Sequence, residues 1–395
     1  MKHILFSLAL LLPLACSITA EQDHPAENEE IDLSLKGLAR MFAELPLEPS
    51  HLREVYDAVG SSSDNGYDEE YTLDCLVTNP GSGVGSPPGS KAAQTYDKPL
   101  RELISEYYSR KLSAPCAATK ASVADETMSL MDELAASGYQ LYWPYSEDWD
   151  GKTFPIITFD PGFGAESNYG YEVSYSASGL RIVDSVYVDE GVARRRPVWV
   201  LNSNTDSGFT PLELFSTRNT ITASTTPYEI SGDFAPAGRR RKLMMKSFKM
   251  LRNYDSWFGG ASEFRVQMGS VDGFSASTEA ELKLYNPSVT DFIIVVKRKY
   301  VGKELPYEAM LVSDFTSQLD KLAFLITEDD GGTHTNWKCE IVVKIQSKAY
   351  GLSVDIPYND KDDIVWRGQL SAHFFEEEDI VTARFGDVVV GFELE

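Results

Sequence analysis

Residues 323–368 read AFLITEDDGGTHTNWKCEIVVKIQSKAYGLSVDIPYNDKDDIVWRG, and apolar segments in this stretch alternate with two clusters of carboxylates. The run 322–326 has strand composition and leads into Glu328, Asp329, Asp330, Gly331 and Gly332, an acidic turn signal. A second cluster, Asp360, Asp362 and Asp363, stands between Ile356 and Ile364. Two acidic loops at one end of a sheet suit a hard cation, because calcium takes roughly six to eight oxygen ligands.

Outward from this stretch, the pattern after Lys246 is nearly all β. Strands are predicted over 247–251, 263–268, 279–285, 292–296, 322–326, 338–345, 352–356, 369–374 and 388–392. So many short strands separated by turn residues predict an antiparallel β-sandwich over 237–395. The segment RRRKLMMKSFKMLR, 239–252, is strongly basic in an acidic chain. On a helix it would offer a membrane-surface or partner face; on a strand, Phe248 and Met250 would face inward together. The strand reading suits the β pattern that follows.

The region 32–236 reads as an α+β domain. Helices are predicted over 33–45, 50–59 with Ser50 as cap, 98–112, and 126–137 with Asp125 as cap. Strands follow over 139–143, 154–159, 169–175, 180–188 and 197–202, forming a mostly antiparallel sheet. The glycine-rich run 79–90 lacks the Gly-Lys-Ser/Thr ending of a phosphate cradle and reads as a surface loop. Trp143, Tyr145, Trp149 and Trp199 offer flat faces for a glycan or protein ligand, or fill the core between helices and sheet.

The first fifteen residues, MKHILFSLALLLPLA, show Lys2 ahead of a short apolar run, the pattern of a signal peptide. Residues 14–16, Leu-Ala-Cys, resemble the lipobox of bacterial lipoproteins, which implies lipidation at Cys16 and a polar tether over 16–31. Cleavage after Ala20 is the competing route, and either exports the chain. In an oxidising compartment Cys75 and Cys116 are the candidate disulfide, and Cys339 reads as a buried thiol. With 60 acidic and 36 basic residues the net charge is −24, which argues against nucleic acid as a partner.

The segment FKMLRNYDSWFGGASEFRV, 248–266, resembles the first strand and loop of a C2 domain, with Asp255, Gly260, Ser262 and Glu263 at the matching positions. LITEDD, 325–330, is similar to the strand entering the third C2 loop, and DDIVWRG, 362–368, to the exit from it. Those features adjoin in C2 domains, whereas here 331–361 stands between them with a hairpin expected over 337–356. The resemblance implies a C2-like sandwich whose calcium ligands would come from Asp255, Glu263, Asp329, Asp330, Asp360, Asp362 and Asp363. SSSDNGYDEEY at 61–71, LYWPYSEDWDGK at 141–152 and RRPVWVLN at 195–202 also resemble Gram-negative surface lipoproteins. That implies an outer-membrane location, periplasmic or on the cell surface, with the membrane engaged through the lipid anchor.

The chain contains neither an HExxH zinc motif nor a GxSxG nucleophile elbow, and no catalytic residue is assigned. The function expected is that of a binding or structural module with calcium-binding loops. The alternative is a carbohydrate-active or peptidoglycan-processing hydrolase using paired carboxylates, for which Asp148, Asp150 and Asp160 are the first candidates.

Overall fold

The computed structural model describes residues 31–78, 96–113, 120–175, 181–204, 212, 241–376 and 379–395. The signal segment, Cys16 and its tether, the glycine-rich run 79–90, Cys116 and most of 203–238 lie outside the described residues. Asp32–Glu395 forms one compact unit.

The helices are α1 (Leu35–Glu44), α2 (Pro49–Asp64), α3 (Leu73–Val77), α4 (Leu100–Ser113), α5 (Lys120–Ala135) and α6 (Glu190–Ala193). Ser34 caps α1 by accepting the Gly37 amide at 3.2 Å. Glu48, rather than Ser50, caps α2: its amide donates to His51 Nδ1 at 2.9 Å, and Pro49 occupies the first turn, where no amide hydrogen is missed. Helix α5 begins upstream of Asp125, which therefore lies inside it, and Gly138 at φ +68° turns the chain into the sheet.

The N-terminal strands are β1 (Glu70–Thr72), β2 (Tyr139–Tyr142), β3 (Ile156–Phe159), β4 (Ser167–Tyr175), β5 (Arg181–Asp189) and β6 (Val198–Ser203). They form one sheet in the order β1-β2-β6-β3-β4-β5. Every pairing is antiparallel except β3 with β6, and α1 lies against β3, β4 and β6.

The C-terminal strands are β7 (Arg241–Met250), β8 (Ser262–Ser270), β9 (Ser288–Val296), β10 (Leu305–Phe315), β11 (Leu319–Glu328), β12 (His334–Ile345), β13 (Lys348–Asn359), β14 (Asp363–Ser371), β15 (Ile380–Phe385) and β16 (Val388–Leu394). One antiparallel sheet runs β10-β7-β16-β15; the other runs β13-β12-β11-β8-β9, with β14 also on β11. Their inner faces share one core, as the rings of Phe248 and Phe264 at 5.1 Å and of Phe324 and Phe392 at 5.7 Å show. This is a β-sandwich.

The basic segment is strand β7. Lys246 reaches Glu308 at 3.1 Å, Glu393 at 3.3 Å and Glu395 at 3.0 Å, so its charge is met within the sheet. The structure differs from the sequence reading at both edges of this sheet. Strand β10 carries Pro306, which an edge strand tolerates, and the short β15 has only two buried residues, Val381 and Phe385. Both read weakly in the sequence because an edge strand has one neighbour and needs little apolar surface. The segment Glu279–Leu284, expected as a strand, is a 3-10 helix with no buried residue. The expected strand 369–374 begins earlier, as β14, and gives way to a 3-10 helix at Ala372–Glu376.

Phe324 meets Phe385 at 5.2 Å and Phe392 at 5.7 Å across the core. Phe324→Ala is expected to cost about 3–5 kcal/mol, as large-to-small changes at such positions do. Urea unfolding checks this; a loss below about 1 kcal/mol would show that the sandwich core is not packed through this ring.

Candidate metal centre

Strand β11 carries Phe324, Ile326 and Glu328 at alternate positions, so the face that fills the core ends in a carboxylate. Glu328 pairs with Phe264 of β8 on one side and with Asp363 of β14 on the other. The segment between β11 and β14 is the expected hairpin, here β12 and β13. Its base is closed by the Asp360 amide donating to the Thr333 carbonyl at 2.9 Å and the Thr333 amide to Asp360 Oδ1 at 2.7 Å. Closure of the hairpin returns the second acidic cluster to the side of the first. Asp255 arrives from the loop between β7 and β8, and Glu263 is the second residue of β8.

Carboxylate oxygens of Asp255, Glu263 and Glu328 lie within 4.8 Å of one another. Glu328 is 1% exposed, and the facing Asp255 carboxyl is the one group among the described residues that its oxygens meet by a hydrogen bond; no amide, hydroxyl or cationic side chain there reaches them, and Asp255 Oδ2 has no other partner either. Burial, followed by the facing Asp255 charge, pushes the Glu328 carboxyl up to about 11. Asp255 is also raised, first by burial, while Arg298 pulls in the opposite direction. Asp330 is pushed up to about 6 by burial and then by the charges of Asp255, Asp363, Asp362 and Asp329. A divalent cation would offset both the burial and the mutual repulsion that raise these groups, and would take oxygens of Glu328 that no amide, hydroxyl or cationic side chain meets.

The other predicted ligands divide by what they already bind. Asp329 is used as a brace: Oδ1 accepts from Asn359 Nδ2 and from the Gly331 amide, each at 3.0 Å, and Oδ2 accepts from Arg265 at 3.0 Å. Asp360 closes the hairpin base. Asp362 Oδ2 accepts the Asn359 amide at 2.9 Å, while its buried Oδ1 has no partner. Asp330 and Asp363 contribute charge beside the three central carboxylates. Glu328 was missed as a ligand because it reads as the start of a turn; its place on the Phe324 and Ile326 face was the available signal.

The aromatic set of the N-terminal region is a packed block. Trp143 is 1% exposed, with ring centres 6.0 Å from Tyr56, 5.3 Å from Trp149 and 5.8 Å from Trp199. Tyr145 donates its hydroxyl to Glu190 at 2.6 Å, and Trp149 donates its indole N–H to the Thr153 carbonyl at 2.9 Å. The Trp143 face is therefore not available as a stacking platform, since its neighbours already cover it. Asp150 and Asp160 accept amide hydrogens of their own turns, from Lys152 and Thr153 and from Gly162. Cys339 is half-buried on β12, and the expected partner of Cys75 is outside the described residues.

No protein-family model, curated protein or solved structure matches this chain.

A second group of acids lies close to the first. Asp68 Oδ2 accepts the Ala261 amide at 3.0 Å, and Asp68 Oδ1 accepts the Glu69 amide at 2.7 Å. Glu69 lies 3.4 Å from Lys297, yet burial holds its carboxyl up to about 8 despite that cation, with the Asp68 charge adding to the rise. A carboxyl raised on folding stabilises the folded state below its unfolded value and loses that contribution as pH rises through the folded value. Between about pH 4.5 and 8 the metal-free protein should therefore lose stability, with Glu328 and Asp330 acting in the same direction. Urea midpoints at pH 5, 6.5 and 8 check this, and Glu69→Gln should flatten the slope. A midpoint that rises across this window would contradict the assignment.

Proposed function

We propose that this chain is an exported, lipid-anchored surface binding module whose C2-like sandwich holds a calcium ion between Asp255, Glu263 and Glu328. The observation that carries the reading is the Glu328 carboxyl, almost wholly buried, met by no amide, hydroxyl or cationic side chain among the described residues, and facing two further carboxylates. An ionised carboxylate in that position is costly unless a cation or a proton meets it. The oxygen-only donor set suits calcium in preference to zinc, which takes nitrogen or sulfur ligands more readily. Asp330 adds its negative charge beside these groups. Export and anchoring rest on Lys2, the apolar run after it and Cys16. The hydrolase reading gains no support from Asp150, both of whose oxygens accept from Lys152 and Thr153, or from Asp160, whose Oδ1 accepts the Gly162 amide.

Thermal unfolding of the purified chain in EDTA and then in millimolar calcium tests this. At a hundredfold excess over Kd the ion contributes about 2.7 kcal/mol, an upward shift on the order of 5 °C. Glu328→Gln should leave the metal-free midpoint nearly unchanged, because that carboxyl already carries a proton, and should abolish the calcium response. Absence of both a shift and calorimetric heat in the unaltered protein would remove the ion from the reading.

A further inference from the structure

The loop that delivers Asp255 continues into the N-terminal sheet. Trp257 and Phe258 are fully buried, and they pack with Tyr142, Ile156, Val188 and Val198. The Trp257 indole N–H donates to the Glu166 carbonyl at 3.0 Å. Asn202 at the end of β6, itself buried, donates to the carbonyls of Phe258 at 2.9 Å and Gly259 at 3.0 Å. Asp68 accepts the Ala261 amide at 3.0 Å, and the chain passes so close to it that a Cβ on Gly260 would stand 2.4 Å from Asp68 Oδ2. Gly260 sits at φ +124°, a conformation glycine adopts without penalty. At its other end the same loop is tied to the sandwich. Arg298 donates to the Asp255 carbonyl at 3.0 Å, and the Ser262 hydroxyl accepts the Tyr254 amide at 2.9 Å.

We infer that the carboxylate centre is the latch of an ion-dependent clasp, in which a cation held by Asp255 fixes the segment Asp255–Ala261 and so locks the N-terminal sheet onto the sandwich. The inference rests on the cation reading above and adds what the ion regulates. Only Ser256 stands between Asp255 and Trp257, a reach of at most roughly 7 Å. The Asp255 backbone therefore cannot move away from Glu328 and Glu263 without pulling on an indole that is fully buried and hydrogen-bonded to Glu166. Without the ion Asp255, Glu263 and Glu328 lack a common tie; with it, the three groups share one cation and the loop is held in. Coupling of this kind is reciprocal, so loosening the clasp on the N-terminal side must weaken the ion.

Hydrogen exchange on the intact chain, with EDTA and with calcium chloride, is the first test. Calcium should slow exchange in 255–261 and also in the β2 and β6 amides, which touch no ligand. Asn202→Ala and the milder Trp257→Phe, neither of which alters a carboxylate, should each lower calcium affinity about fivefold or more by calorimetry. Unchanged affinity in both folded variants, with protection confined to the ligand residues, would overturn the clasp and leave the ion site standing. No calcium binding by the unaltered chain would overturn both.

Discussion

Strand β11 is hydrogen-bonded along both edges, to β8 on one side and β14 on the other, and the remaining architecture depends on that constraint. A strand paired on both sides cannot slip by one residue without turning Phe324 and Ile326 out of the core and their neighbours into it. Register fixed in this way also fixes Glu328. It stands on the core face, one step beyond the last apolar side chain, and is buried because Phe324 and Ile326 are. The carboxyl has been placed by packing, and its chemistry follows from its position: a proton or a cation has to accompany it.

The loop after β7 turns this local condition into a molecular one. Asp255 faces Glu328, while Trp257 and Phe258 extend the core of the N-terminal sheet. Asp32–Glu395 is accordingly one compact unit, although its two regions differ in composition and sheet type. The aromatic block of Tyr56, Trp143, Trp149 and Trp199 contributes rigidity, since its rings meet edge to face at centre distances between 5.3 and 6.0 Å. A surface ligand would thus have to be met elsewhere than on the Trp143 face.

Central strands were legible because period-2 alternation and β-branched composition mark residues that must be buried against a neighbouring sheet. Strands β12 and β13 alternate in this way, so the hairpin between the acidic clusters could be anticipated, while β11 was legible as the continuous apolar run 322–326 of a strand covered on both faces. Edge strands β10 and β15 were not legible, since one exposed side relaxes the demand for apolar residues. Among the acids, the resemblance of 248–266 to a C2 loop pointed to Asp255 and Glu263, but neither it nor composition could separate Asp329, which braces Asn359 and Arg265, from an open ligand. Hydrogen bonds between residues far apart in sequence decide that difference.

The sequence by itself determined the β-sandwich, the helical N-terminal region and the meeting of two acidic loops, because apolar periodicity and turn chemistry act over a few residues. Only the tertiary structure decided which carboxylates are spent on amides, that Glu328 is buried without a donor, and that Trp257 anchors the ligand loop in the other sheet. Burial and hydrogen-bond satisfaction are properties of what surrounds a side chain, and those surroundings come from segments that are remote along the chain.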